Sequence, residues 1–198
     1  MKATGISSEM PYLHHGEMPR IILDGGISPT AIARDYSQVG SVDDLPIYKD
    51  HYDTHVVVVD PDQHVDNGRL LQIFRLHFKK THQLSFPNNF QRILQVHKVA
   101  IDRTHGSRGM ASSIYKLLVS MGYTIVSDDT QFEPAQSLWK RIAADPSAKV
   151  YVADVEHGLF KDDNGEPILY NGSNIPDQDI WTAGSDYNGQ YRVMILAS

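Results

Sequence analysis

The sequence predicts an α/β (α+β) fold with a mixed, mostly antiparallel central sheet, a βαβ unit and helices packed on the sheet. Two observations support this. Residues 55–102 contain three strand-like segments separated by turn residues, with apolar and polar residues alternating over 70–79. After Gly109 the apolar residues recur at helical spacing, and two helical segments then alternate with strands. Antiparallel strands followed by a βαβ unit predict a mixed sheet.

The composition excludes several kinds of site. The chain has 198 residues, no cysteine and a formal net charge of −6. Disulfide frameworks, thiolate zinc sites, iron–sulfur clusters and acyl-cysteine intermediates are therefore not available. The acidic charge argues against a sequence-independent nucleic-acid binder, although it leaves other contacts with nucleic acid open. No stretch is apolar enough for a signal sequence or a membrane span, so we expect a cytoplasmic protein without a membrane partner.

We expect one domain over residues 1–198, beginning with an irregular N-terminal flank over residues 1–54. This flank contains Gly, Pro, His and acidic residues with little periodicity. A short helix is expected within it, because Ser28 is a good N-cap and Pro29 suits the first helical position.

The middle of the chain predicts strands at 55–60, 70–79 and 92–102. The first is a β-branched run ended by Pro61, and a loop joins it to the second as a hairpin. The third is apolar on both faces, which is typical of a central strand.

The second half predicts helices separated by short strands. An amphipathic helix covers about 111–119 and ends near Gly122, a strand follows at 123–127, and a second helix covers about 135–143. The start of this second helix stays open. Thr130 and Glu133 have capping-box spacing, whereas Pro134 at the first helical position would make Glu133 the cap.

The C-terminal part predicts a strand at 150–157 and a final strand at 191–197. Between them, residues 158–190 are rich in Gly, Asn and Asp and predict a loop-rich insertion. Because thirty-odd residues is long for a connection without secondary structure, we expect a small hairpin or excursion within it.

The segment Val99–Gly122 carries the most specific chemical signal: a strand, a loop with two glycines, and a helix. Such a loop directs backbone N–H groups and the positive end of a helix dipole at one spot, which suits a pyrophosphate. Arg103, His105 and Arg108 add cations beside the glycines. The segment lacks the Walker and dinucleotide-binding patterns.

This segment resembles motif A of the GNAT superfamily of acyl-CoA N-acyltransferases, usually written Arg/Gln-x-x-Gly-x-Gly/Ala. In the better register, Gly109 and Ala111 occupy the glycine positions and Gly106 stands where the family favours Arg or Gln. An alternative register starts at Arg108. The similarity extends to the strand order over about 55–157. Residues 122–131 and 137–143 are most similar to short divergent members encoded by tailed bacteriophages, which would act in the host cytoplasm.

The resemblance implies acetyl-CoA, or another acyl-CoA, as co-substrate, held where strand 92–102 separates from strand 124–128. The pantetheine arm would pair with the backbone near Val99, Ala100 and Ile101. The pyrophosphate would be held by the loop and first helical turn, namely Ser107, Arg108, Gly109, Met110, Ala111 and Ser112. An amine would attack the thioester directly, as suits a chain without cysteine.

The acid–base residues depart from the family pattern. Gln95 stands near the position of the usual glutamate base, and Trp139 replaces the tyrosine that often protonates the thiolate. His97, two residues beyond Gln95, is a candidate base, although a core histidine is the alternative. Asp128 is a further candidate base, and Tyr123 is a candidate acid. The histidines show no metal-ligand spacing, so we expect no metal.

The resemblance implies an acyl-CoA-dependent N-acyltransferase that acts on an amine-bearing acceptor, either a protein or a small molecule. One alternative is a catalytically degenerate GNAT-like phage protein that binds or inhibits a host partner. A further alternative is a DNA-base modifying acyltransferase, against which the acidic charge counts. The oligomeric state stays open. We expect acceptor specificity to reside in residues 1–54 and 158–190.

Overall fold

The computed structural model describes residues 26–79, 90–102, 109–128, 133–154, 157–181 and 192–198. The predicted site residues Ser107 and Arg108 and the candidate cap Thr130 lie outside these ranges. The described part contains four α-helices and nine strands, in the order α1 (Pro29–Asp35), β1 (Tyr36–Val42), β2 (Leu45–Asp50), β3 (His55–Val65), β4 (Arg69–Lys79), β5 (Ile93–Ile101), α2 (Met110–Ser120), β6 (Thr124–Val126), α3 (Glu133–Ala143), β7 (Lys149–Asp154), β8 (Gly158–Leu159), α4 (Asp177–Ile180) and β9 (Arg192–Ala197).

The nine strands form one sheet in the order β1-β2-β3-β4-β5-β6-β9-β7-β8. All neighbouring strands pair antiparallel except β5 and β6, which are parallel and joined by α2. The predicted class, an α+β fold with a mostly antiparallel mixed sheet and a βαβ unit, is confirmed.

The prediction of an irregular flank over residues 1–54 is wrong for residues 29–50. The predicted short helix is present as α1, with Ser28 as N-cap and proline in its first turn. The hairpin β1–β2 follows and extends the sheet beyond β3. Its edge strand lies close to helix α2, because a Cβ at Gly40 would come 2.9 Å from a methyl group of Leu117.

The first face of the sheet carries the main core and is covered by α2 and α3. Apolar residues of these helices pack on alternate residues of the strands, including Phe74, Leu76 and Phe78 of β4. The rings of Tyr115 and Trp139 lie 5.7 Å apart between the two helices. Both are buried here, as their positions on helical apolar stripes indicate.

The second face carries two smaller apolar clusters. One lies under α1 and contains Ile27, Ile32, Val57 and Val59. The other lies on the opposite half of the sheet and contains Val126, Ala153, Val193 and Ile195. Between them, polar side chains of β3, β4 and β5 occupy the second face.

The loop-rich region after β7 contains the small hairpin expected from its length. Strand β8 pairs with β7, and a bridge joins Lys161 to Pro167. The short helix α4 follows, and residues 182–190 lie outside the described ranges. Among the described helices, none has the length and apolar character that crossing a membrane requires.

Candidate functional site

The parallel strands β5 and β6 are paired over only three residues. Ile93, Leu94 and Gln95 pair with Thr124, Ile125 and Val126. Strand β5 then continues to Ile101 while paired with β4 on its other side. In the described part of the chain no strand pairs with β5 beyond Gln95 on the side of β6. Among the described residues the two strands therefore leave an opening in the sheet, and the backbone groups of β5 along this edge have no partner strand.

A β-bulge lies where this opening begins. Phe78 of β4 pairs with Val96, and the next residue back, His77, pairs with Lys98. His97 is therefore the extra residue of β5. A bulge bends its strand and redirects a side chain.

The His97 side chain is 51% exposed and faces charged neighbours at the opening. Its Nδ1 lies 4.0 Å from Oδ2 of Asp128, which follows β6. The other carboxylate oxygen of Asp128 accepts a hydrogen bond of 2.6 Å from Nζ of Lys79. The structure thus brings together two predicted residues, His97 and Asp128, and makes the core role considered for His97 wrong.

Around His97 the second face carries a continuous row of polar side chains, here called the polar strip: His55, Arg75, His77, Lys79, His97, Lys98 and Asp128. The ring of His77 stacks on that of His55, with centroids 4.5 Å apart. It also contacts the edge of His97, with centroids 5.4 Å apart. Burial, and then the neighbouring His55 and His97, lower the pKa of His77.

The sequence prediction gave no chemical role to His55, His77, Lys79 or Lys98. A signal for two of them was available, because His77 and Lys79 occupy the polar positions of the alternating segment 70–79. Their approach to His97 depends on the register between β4 and β5, which a single sequence does not contain.

Gln95 closes the bottom of the opening. Its side chain is 7% exposed, and its Nε2 donates a hydrogen bond of 3.3 Å to the backbone oxygen of Ser127. This bond links β5 to the residue after β6 where the strands separate. Gln95 is thus a structural tie between the two strands.

The N-terminus of α2 begins at Gly109, which has a φ of +96° and acts as N-cap. A left-handed residue there favours glycine, although the space around its Cβ position is open. Met110 and Ala111 are 3% and 7% exposed, so they anchor the helix start in the core. The backbone N–H groups of the first turn, including that of Ser112, have no acceptor within the helix.

Tyr123 does not belong to this opening, and its predicted role as the acid is not supported by its position. It precedes β6, whereas Asp128 follows it, so the two residues lie at opposite ends of the strand. Its hydroxyl donates a hydrogen bond of 2.9 Å to Oδ1 of Asp53 and accepts one from Arg92. The guanidinium of Arg92 also lies 3.8 Å from the centre of the ring.

An open cavity of about 650 Å³ lies at the His55 end of the polar strip. Its lining includes Asp35, Tyr36, Asp50 and Tyr52. Asp50 is 4% exposed and accepts hydrogen bonds of 2.8 and 3.0 Å from the backbone N–H groups of Thr54 and His55. These bonds help to fix the turn that presents His55 to the strip.

Within the described ranges, no group of three or more His, Asp or Glu side chains is arranged to hold a metal ion. The histidines of the polar strip face one another through their rings and do not converge on one point. Comparison with protein-family models, curated proteins and solved structures finds no match to this chain.

Proposed function

We propose that the chain is an acyl-CoA-dependent N-acyltransferase of the GNAT type, which transfers an acyl group, such as the acetyl group of acetyl-CoA, directly to an amine. The observation that carries the proposal is the opening between β5 and β6. In the described part of the chain it lies between the edge of β5 that has no partner strand and the pair of His97 and Asp128, and α2 follows the same strand in the chain. The resemblance of Val99–Gly122 to motif A adds to it.

The backbone of β5 supplies the binding surface for the acyl-CoA. Over Val99, Ala100 and Ile101 the backbone N–H and C=O groups point alternately to β4 and to the open edge, and those that face the edge suit the amide groups of a pantetheine arm. The N–H groups of Gly109–Ser112 suit the pyrophosphate, because the positive end of the α2 dipole adds to them.

His97 is the group that we assign to proton removal. The amine nitrogen of the acceptor attacks the thioester carbonyl carbon, an N–C bond forms, and the C–S bond breaks. The proton lost by the amine passes to the imidazole of His97. The Asp128 carboxylate, 4.0 Å away, stabilises the resulting imidazolium. The thiolate of CoA then takes this proton from His97, which leaves the histidine neutral for the next turnover.

A non-catalytic binding protein is the second candidate. Two observations favour it: Gln95 is committed to Ser127, and the Tyr123 hydroxyl is committed to Asp53. Neither side chain is therefore available for acid–base chemistry in the opening. This candidate predicts neither acyl-CoA binding nor turnover.

Thermal unfolding with CoA and with acetyl-CoA separates the two candidates. A ligand at 100 times its dissociation constant stabilises the native state by about 2.7 kcal/mol. We expect such stabilisation in the wild type and in Arg141→Glu, a control with the same charge change at an exposed position of α3. We expect a weaker response in Arg108→Glu, where a negative charge would face the pyrophosphate.

The proposal fails if millimolar CoA leaves the unfolding temperature unchanged. It also fails if CoA binds but thiol release from acetyl-CoA does not exceed the uncatalysed rate with any of a panel of primary amines. The first result, no stabilisation by CoA, is the one that the binding protein predicts.

A further inference from the structure

The polar strip carries more positive than negative charge on the side of His97 that faces β4. His77 and Lys98 are direct cross-strand partners, so their side chains lie on the same face of the sheet. Arg75 lies two residues before His77 and therefore points to that face as well. The positive charge stands out because the whole chain has a formal net charge of −6.

The acidic groups near the strip are already engaged. Asp128 binds Lys79 and faces His97. Asp50, beyond His55, is buried under hydrogen bonds from Thr54 and His55.

Two cations of the strip keep unused capacity. In the described part of the chain, the side chain of Lys98 has no hydrogen bond or ion pair. Arg75 has hydrogen bonds only from its Nε and Nη2 to the neutral side chain of Gln72. After burial, the groups that lower the pKa of His77 are four neighbours in the strip: His55, His97, Lys98 and Arg75. An anion placed here would meet several donors, and the nearby carboxylates Asp50 and Asp128 already accept hydrogen bonds from other groups.

The position of these groups relative to His97 limits the size of the ligand. The rings of His77 and His97 are 5.4 Å apart, and Lys98 follows His97 in the chain. An anionic group held by Lys98 and His77 therefore lies a few bond lengths from the imidazole that removes the proton. A small acceptor can span that distance and present its amine to His97.

We infer that the acceptor is a small amine that carries an anionic group, a carboxylate or a phosphate, and that Lys98, His77 and Arg75 bind this group. The inference rests on the proposed function, because it assigns the acceptor side of the same opening. It gives Lys98 and Arg75 a role that neither the core nor the acyl-CoA surface requires.

Anion binding is tested without acyl-CoA. Inorganic phosphate, and separately acetate, is titrated at constant ionic strength while the histidine ring protons are followed by NMR. We expect the His77 and His97 signals to shift, and the pKa of His77 to rise when an anion reduces the surrounding positive charge. We expect binding to weaken roughly tenfold in Lys98→Gln and to stay unchanged in the control Arg141→Gln.

Acceptor preference is tested by thiol release from acetyl-CoA. O-Phosphoethanolamine, β-alanine and ethanolamine serve as the phosphate, carboxylate and uncharged amines. We expect the anionic amines to have the higher kcat/KM, and their advantage over ethanolamine to fall roughly tenfold in Lys98→Gln. The anionic amine with the higher kcat/KM shows whether the polar strip prefers a phosphate or a carboxylate.

Several outcomes would overturn the inference. If CoA binds and amines are acylated but ethanolamine is as good as the anionic amines, the proposed function stands and the assignment of the acceptor fails. If phosphate and acetate leave the histidine signals unchanged, or shift them equally in Lys98→Gln, the anion site fails. A response to an oligonucleotide but to neither small anion would replace the small acceptor with a nucleic acid. Absence of both CoA binding and turnover removes the proposed function and the inference together.

Discussion

Strand β6 has a polar cluster at each end, and the two clusters are built in opposite ways. At its start, Tyr123 is 3% exposed, and its hydroxyl bonds to both Asp53 and Arg92. At its end, Asp128 faces a histidine that is 51% exposed. We call the first cluster closed because the buried Tyr123 hydroxyl is bonded on both sides, while Asp53 at its edge is 49% exposed. In the second cluster the histidine itself reaches solvent, with a ring nitrogen 4.0 Å from Asp128.

The closed cluster is a stabilising network. The ammonium group of Lys49 has a side-chain exposure of 8%, pairs with Asp53 and lies 5.3 Å from the Tyr123 ring centre. Burial alone lowers the pKa of Lys49, but its bonds to Asp53 and Tyr123 outweigh burial and raise it. A buried charge that is paired in this way holds the β2–β3 turn against the start of β6.

The contrast teaches which polar groups are available for chemistry. A group whose donors and acceptors all form hydrogen bonds inside the protein stabilises the fold. Its removal leaves its partners without a hydrogen bond. A group that is partly exposed and only loosely paired can bind a substrate or transfer a proton. The comparison therefore predicts loss of activity at one end of β6 and loss of stability at the other.

The largest expected effect is on turnover at the open end. In His97→Gln we expect kcat to fall about a hundredfold or more, because general-base catalysis contributes that much. The free energy of unfolding should change by less than about 0.5 kcal/mol, as is usual for an exposed side chain. Thiol release gives the rate and urea unfolding gives the stability.

His64→Gln is the matched control, since His64 is an exposed histidine of the same sheet outside the polar strip. Equal rates in His97→Gln and in this control would remove His97 as the base.

At the closed end we expect the opposite pattern. Tyr123→Phe should lower the free energy of unfolding by about 1–2 kcal/mol, because Asp53 and Arg92 each lose a hydrogen-bond partner. Its kcat should remain within about twofold of wild type, since the hydroxyl lies away from the opening. Urea unfolding and thiol release measure the two effects.

Tyr48→Phe provides the control, because Tyr48 is half-buried beside the cluster under α1. A large fall in kcat for Tyr123→Phe, with its stability preserved, would return Tyr123 to the role of acid.

The sequence predicted most elements after residue 55 because their apolar residues recur with clear periods. The helix predicted over 111–119 is α2, and the alternating segment 70–79 is β4. Strand β3 instead continues past the proline expected to end it, to Val65, through an irregularity between Asp60 and His64. The hairpin β1–β2 was missed because its strands mix Gly, Ser and Asp with apolar residues, and its Asp43-Asp44 turn takes positive φ at both positions.

The candidate site was predictable only in part. Position at a strand end pointed to both Asp128 and Tyr123, but a sequence does not say at which end of β6 the sheet opens. The bulge at His97 is likewise a shift in register between β4 and β5, which the sequence of one strand alone does not reveal. The neighbours that give His97 its environment, His77 and Lys79, belong to β4 and reach it through register alone.

The smallest expected effect is a pH dependence of stability that originates in His77. Its pKa is lowered in the folded protein, first by burial and then by the positive charge of its neighbours. Below its unfolded pKa of about 6.5 the unfolded chain therefore binds more protons, and stability falls as the pH decreases through that value. The carboxylates whose pKa values are also lowered, Asp50 and Asp53 among them, change the pH dependence of stability only below about pH 4.

Urea unfolding of wild type and His77→Gln measures this effect. The free energy of unfolding of the wild type should exceed that of the variant by more at pH 7.5 than at pH 5.5. His64→Gln should show no such change, and an advantage equal at both pH values would mean that the cations of the strip do not act on His77.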